Sequence, residues 1–214
     1  MKNNIAEIKD VSINIEELRT AWVEQVKFAV NYSYGQRNYV DLDWFIPYFQ
    51  YLLLETEKAL GIKPKNYIIQ VADPVLLGKE DPNSTNVRRN ATGEKGEQGS
   101  YRYQDKYYLT IPHTDYDRAS CVTFPITYNL MEPVNFWNDL ADEDVPDRGG
   151  PMSIKPSQTS QYSTKHPTLI NVHNHHNVRV IDKDIPRIFV QMSYDEHFDD
   201  LVKNNPNIEI IWQS

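Results

Sequence analysis

Two neighbouring runs, SCVTFPITYNL (residues 120–130) and VNFWND (residues 134–139), are short and rich in β-branched and aromatic residues. Runs of this kind, separated by turn-forming residues, predict β-strands. Six further runs follow Pro64: NYIIQVA (66–72), KYYLTIPHTD (106–115), PTLINV (167–172), HNVRVI (176–181), RIFVQMSY (187–194) and IEIIW (208–212). About eight short strands without helices between them predict an antiparallel sandwich, jelly roll or barrel rather than a parallel sheet.

The first third of the chain has a different pattern. Apolar residues recur every three or four positions in EELRTAWVEQVKFAV (16–30), which predicts an amphipathic helix with Asn14 as its cap. A second helix is predicted in WFIPYFQYLLLETEKAL (44–60). We therefore expect a helical N-terminal part at residues 1–63, followed by a jelly-roll-like β core at residues 64–214.

Composition limits the class of protein. The 214 residues, 40% of them hydrophobic, are enough for a single domain over residues 1–214. The net charge of −8, from 22 Lys+Arg against 30 Asp+Glu, disfavours binding to nucleic acid or to an anionic membrane. The lone cysteine, Cys121, rules out an intramolecular disulfide and a cysteine-based zinc site. No run approaches the roughly 20 apolar residues of a membrane span, so we expect a cytoplasmic protein with no membrane partner.

Histidine and aspartate stand two positions apart at two places. His113 and Asp115 end a predicted strand, where side chains at i and i+2 share a face and can converge on one ion. His197 and Asp199 lie in an acidic segment with a helical pattern, where positions i and i+2 point in different directions. We interpret the second pair as an exposed helix face. Because such pairs arise readily by chance, the first pair needs a companion.

That companion is found in the histidine-rich segment LINVHNHHNVRV (169–180). Two histidines and one carboxylate form the ligand set that holds non-haem Fe(II) by one face. The third ligand must come from another strand, and His176 lies 63 residues after His113. Arg187 follows His176 by eleven residues, and a buried arginine can bind a carboxylate through two hydrogen bonds.

The ordered set of His113, Asp115, His176 and Arg187 resembles the pattern of the Fe(II)/2-oxoglutarate-dependent oxygenase superfamily. In that family His-x-Asp is followed by a distal His and, shortly afterwards, by Arg or Lys. The resemblance extends over residues 101–198. It implies a double-stranded β-helix, a form of jelly roll, buttressed by helices. It also implies Fe(II) held by the first three residues, with O2 and 2-oxoglutarate as cosubstrates and Arg187 bound to the far carboxylate of 2-oxoglutarate.

Two assignments stay open. His173 and His175 share one face of the predicted strand and His176 takes the other, so all three cannot be ligands. The His-Asn-Val context and the spacing to the downstream arginine favour His176 as the distal ligand, with His175 and then His173 as alternatives. Arg118 either contacts the cosubstrate or substrate, or forms a surface ion pair with Asp117.

The resemblance implies a dioxygenase that hydroxylates an amino acid, a small metabolite or a peptide, and the net charge makes a nucleic-acid substrate unfavourable. The alternatives are a cupin-like isomerase or epimerase that works without iron, and a non-catalytic β-sandwich binding module. Two polar stretches, 78–100 and 139–166, are long enough to act as lids over a site.

Overall fold

A computed structural model gives the fold of the chain. The structure describes residues 3–25, 31–34, 37–40, 42–72, 101–103, 106–108, 112–126, 134–144, 155–180 and 187–211. The predicted lid at 78–100 lies outside the described residues, and so do residues 145–154 of the second predicted lid.

The described residues form three helices and thirteen strands, and two of the helices lie in the first third of the chain. In chain order they are β1 (Ile5–Ile8), α1 (Ile15–Gln25), β2 (Asn31–Tyr34), β3 (Arg37–Val40), α2 (Leu42–Leu60), β4 (Asn66–Ala72), β5 (Tyr101–Tyr103), β6 (Lys106–Tyr108), β7 (Ser120–Pro125), β8 (Val134–Trp137), a 3-10 turn (Asp142–Asp144), β9 (Gln158–Ser160), β10 (Thr168–Asn171), β11 (His175–Val180), β12 (Arg187–Tyr194), α3 (Phe198–Asn204) and β13 (Ile208–Ile210). Among these residues no helix has the length and apolar character that crossing a membrane requires.

The strands form two antiparallel sheets. Neighbouring strands in the eight-stranded sheet are β13-β1-β10-β7-β12-β4-β3-β2, and those in the five-stranded sheet are β5-β6-β11-β8-β9. From β7 onward the chain crosses repeatedly between the sheets, because β7, β10 and β12 belong to the large sheet whereas β8, β9 and β11 belong to the small one. The mainly β class predicted from the sequence is confirmed.

The large sheet is covered on both faces. Cys121 of β7 and Phe189 of β12 pack with Phe136 of β8 in a core between the two sheets. Val122 and Val190, the next residues on the same two strands, pack in a second core on the opposite face. The helical residues of this second core are Leu18, Leu52, Leu53, Leu60, Phe198 and Leu201. Because both faces of β7 are covered, all six of its residues are buried and its sequence shows no alternation of polar and apolar residues.

Local signals set the ends of two helices. The Asn14 Oδ1 accepts a hydrogen bond from the Glu17 backbone N–H at 3.3 Å, and the Asn14 Nδ2 donates to the Glu17 carboxylate at 3.3 Å. The first bond makes Asn14 the N-cap of α1, and the second joins the two side chains. Gly61 directly follows α2 with φ 69°, the left-handed conformation in which glycine ends many helices.

All eight predicted strand runs contain strands, and β4 and β12 have the predicted bounds of 66–72 and 187–194. The prediction that residues 1–63 are helical is wrong in part, because β1, β2 and β3 lie within this stretch. β1 hydrogen-bonds to β10 on one side and to β13 on the other. Its position therefore depends on partners more than 150 residues away, and four residues are too few to show a strand period.

The burial of β7 can be tested by truncating Phe124, a buried residue of this strand in the core beneath the helices. Phe124→Ala leaves a cavity, so we expect the free energy of unfolding in urea to fall by about 3–5 kcal/mol. The control is Tyr116→Ala, at a side chain that is 90% exposed, with an expected change within about 0.5 kcal/mol. Equal losses in the two variants would contradict the burial of β7.

Candidate metal centre

Two backbone hydrogen bonds bring the first and last residues of the predicted ligand set together. The His113 N–H donates to the His176 carbonyl at 3.1 Å, and the His176 N–H donates to the His113 carbonyl at 2.9 Å. The two residues thus face each other as an isolated antiparallel bridge. Their ring centroids are 4.7 Å apart, so both imidazoles lie at one place near the start of β11.

Asp115 joins the two histidines through its own backbone. Its N–H donates to the Val172 carbonyl at 2.9 Å, which ties the segment after His113 to the turn between β10 and β11. One ligand atom from each of His113, Asp115 and His176 lies within 4.8 Å of the other two. These three side chains could hold a metal ion, and the described part of the chain contains one such group.

His176 is held in the form that a metal ligand needs. Its Nδ1 donates to the Asn174 carbonyl at 3.0 Å, which leaves Nε2 with a lone pair for an ion. Burial, together with the neighbouring His113, lowers the pKa of His176 to about 3. The ring is therefore neutral across the physiological pH range, and no proton competes with a metal ion for Nε2.

Asp115 is held as an anion. Burial by itself raises the pKa of this carboxyl, but the positive charge of Arg118 and its hydrogen bond to the carboxylate outweigh burial and bring the pKa below its usual value. The Arg118 Nε donates to Asp115 Oδ2 at 2.6 Å, and Asp115 Oδ1 lies 3.6 Å from His113 Nε2. One carboxylate oxygen is thus occupied by Arg118, while the other faces the histidines.

Arg118 has a different partner from the one weighed in the sequence. Instead of a surface pair with Asp117, it forms a buried pair with Asp115, and its Nη1 donates to Ser193 Oγ at 3.2 Å. Only 6% of Arg118 is exposed. In this position the guanidinium orients the Asp115 carboxylate.

The other candidates take separate positions. His173 is exposed on the turn before β11, and His175 is the first residue of β11; neither belongs to the three-residue group. His197 precedes α3, and Asp199 is exposed in its first turn, as the sequence predicts for that pair. Arg187 is the first residue of β12 and pairs with Ala72 in β4, but its side chain is outside the described part of the structure.

Asn4 is a residue that sequence reasoning missed. Its side chain is fully buried, and its Nδ2 donates to Asn138 Oδ1 and to Gln158 Oε1, both at 2.8 Å. Its Oδ1 accepts a hydrogen bond from Asn174 Nδ2. Asn174 is also the residue whose carbonyl orients His176. Asn4 therefore anchors the turn that fixes the distal histidine, and an Asn near the start of the chain carries no local pattern that would reveal this.

Alanine at His113 or at His176 removes one of three converging ligands. We expect each variant to lose one equivalent of bound Co²⁺ relative to the unaltered protein, because the ion loses one of its imidazole ligands and its preformed coordination geometry. Equilibrium dialysis followed by metal analysis measures the loss. His175→Ala changes a histidine one position from His176 and should keep the full number of ions; a loss in this control would move the distal ligand to His175.

Removing the Asn4 side chain tests the anchoring of the turn. In Asn4→Ala we expect the Kd of the ion bound by His113 and His176 to rise about 10-fold, the usual effect of losing a group that orients a ligand. Asn14→Ala, which removes the α1 cap far from the ligands, should lower thermal stability without changing this Kd. An unchanged Kd in Asn4→Ala would show that the turn needs no such anchor.

Comparisons with protein-family models, with curated proteins and with solved structures find no match to this chain. Any function therefore has to be inferred from the side chains themselves. Two imidazoles and one ionised carboxylate, from segments 63 residues apart along the chain, form a group that can bind a metal ion.

Proposed function

We propose that the protein is a non-haem Fe(II)/2-oxoglutarate-dependent dioxygenase that hydroxylates an amino acid, a small metabolite or a peptide. The observation that carries the proposal is the convergence of His113, Asp115 and His176. Iron bound there would supply the reaction of O2 with 2-oxoglutarate, which yields succinate and CO2 and places one oxygen atom in a C–H bond of the substrate.

The donor set suits Fe(II). Two imidazoles and one carboxylate are ligands for this ion, and three protein ligands leave coordination positions for other molecules. The His113 side chain is 27% exposed whereas that of Asp115 is 6% exposed. The group therefore has a solvent-facing side at His113, and this is the side where cosubstrate and substrate would approach.

Arg187 is the proposed partner for the far carboxylate of 2-oxoglutarate. Alternation along a strand puts position 187 on the same face of β12 as positions 189 and 193. Phe189 packs in the core between the sheets, and Ser193 accepts the hydrogen bond from Arg118. This parity supports the proposal, because it assigns position 187 to the face of β12 that the metal-binding group shares.

The proposed fold is the double-stranded β-helix that the family resemblance implies. Its support is the alternation of β7, β8, β10, β11 and β12 between two antiparallel sheets with a shared core. Strand crossing of this kind characterises jelly rolls. In such a fold the ligands lie between the sheets. This agrees with the position of His176 in β11 and with the hydrogen bond between Arg118 and Ser193 of β12.

The net charge and the buried thiol bear on the substrate class and the compartment that we propose. The net charge of −8 disfavours a nucleic-acid substrate, so the substrate is a small molecule or a peptide. A reducing cytoplasm would keep both Fe(II) and the buried Cys121 thiol reduced.

The spectrum of the anaerobic complex tests the proposal. Addition of Fe(II) and then of 2-oxoglutarate should give a weak charge-transfer band in visible light, and His113→Ala should abolish it. With Arg187→Ala, we expect the 2-oxoglutarate concentration that gives half of the maximal band intensity to rise about 10–100-fold, since a charge-assisted contact is lost. Arg187→Lys keeps the charge, so its half-maximal 2-oxoglutarate concentration should lie between those of the unaltered protein and Arg187→Ala.

The alternatives give different outcomes in the same preparation. A cupin-like isomerase would keep its activity after the metal is chelated. A binding module would bind neither iron in stoichiometric amount nor 2-oxoglutarate. Stoichiometric iron without the band, and without succinate from 2-oxoglutarate in air, would contradict the proposed dioxygenase.

A further inference from the structure

A second pair of histidines has the same spacing as the pair at the metal centre. The ring centroids of His173 and His197 are 4.8 Å apart, at an interplanar angle of 64°, against 4.7 Å for His113 and His176. His173 comes from the turn between β10 and β11, and His197 immediately precedes α3. The His197-x-Asp199 pair, which lacks a companion in the sequence, thus acquires one in the fold.

The two rings line a polar cavity of about 420 Å³. Asn3, Asn171 and Asp199 also line it, so oxygen donors surround the imidazoles. A carboxylate in the wall and the acidic character of the whole chain favour a cation over an anion as the occupant.

Several polar groups of this cavity have no partner within the described residues. His197 caps α3 without a side-chain hydrogen bond to the helix, and the His173 ring lies against the His197 ring. The Oδ1 of Asn3 is buried and accepts no hydrogen bond from the described part of the chain. Since buried polar atoms in folded proteins are nearly always paired, this oxygen indicates a bound species in the cavity.

We propose that His173 and His197 form a second site, which binds a divalent transition-metal ion. Imidazole nitrogen is a preferred ligand of Zn²⁺, Ni²⁺ and Cu²⁺. Two imidazoles that share one ion at a Zn–N distance of about 2.0–2.1 Å have ring centres roughly 5 Å apart, which matches the separation of this pair. Water completes the coordination, and Asp199 contributes negative charge from the cavity wall. The site does not depend on the proposed dioxygenase activity.

The second site shares a structural element with the first. The turn that carries His173 also carries Asn174, whose carbonyl fixes the Nδ1 of His176. An ion held between His173 and His197 would therefore join this turn to the start of α3.

Counting ions in matched variants tests the proposal. In equilibrium dialysis against Zn²⁺, the unaltered chain should bind two ions, and His173→Ala, His197→Ala and His113→Ala should each bind one. The double variant His113→Ala/His173→Ala should bind none. His175→Ala, in the same histidine-rich tract, should still bind two, which excludes unspecific binding by the tract. Circular dichroism verifies that each variant is folded, and exposure of His173 and His197 makes their substitution mild.

The outcomes separate the two metal sites. If His173→Ala and His197→Ala bind as many ions as the unaltered chain, the second site is absent and the two rings simply stack. A single ion that is lost in His113→Ala likewise overturns the second site and leaves the first intact. A single ion that is lost in His173→Ala supports the second site and removes the basis of the proposed dioxygenase.

Discussion

The bridge between His113 and His176 is the contact on which the metal-binding group depends. Its two hydrogen bonds are between backbone atoms, so the main chain places the two histidines opposite each other, and their side-chain torsions then set where the imidazoles lie. A third backbone bond, from the Asp115 N–H to the Val172 carbonyl, fixes the backbone of Asp115 in the same way. Backbone segments that are already fixed lose little conformational entropy when an ion binds, which favours a preformed site.

Charge balance explains how the Asp115 carboxylate can be buried. Asp115 and Arg118 have side chains 6% and 5% exposed and bind each other at 2.6 Å. A buried carboxylate without a partner would cost several kcal/mol, whereas the pair with a neutral His176 carries almost no net charge. A divalent ion would add two positive charges to this balanced set. That excess favours an anionic molecule as the next ligand, which agrees with 2-oxoglutarate as the proposed cosubstrate.

The sequence predicts those features that depend on local pattern. Runs of β-branched and aromatic residues between turn-forming residues identify β4 and β12 with their observed bounds, and the spacing of His113, Asp115 and His176 selects the group that converges. The pairing of Arg118 with Asp115 is not predictable, because two acidic residues lie within three positions of it and only the buried loop decides between them. The role of Asn4 is even less predictable from the sequence, since its partner Asn174 is 170 residues away.

The turn between β10 and β11 has to satisfy two neighbouring surfaces at once. The carbonyls of Val172 and Asn174 accept hydrogen bonds from Asp115 and His176 of the candidate metal centre. His173, between them, lines the polar cavity together with Asn174. Neither surface can move independently in a turn this short, so a shift that changes the position of His173 also changes the carbonyl that orients His176. The histidine-rich tract therefore couples the two surfaces, because adjacent residues of one turn contribute to both.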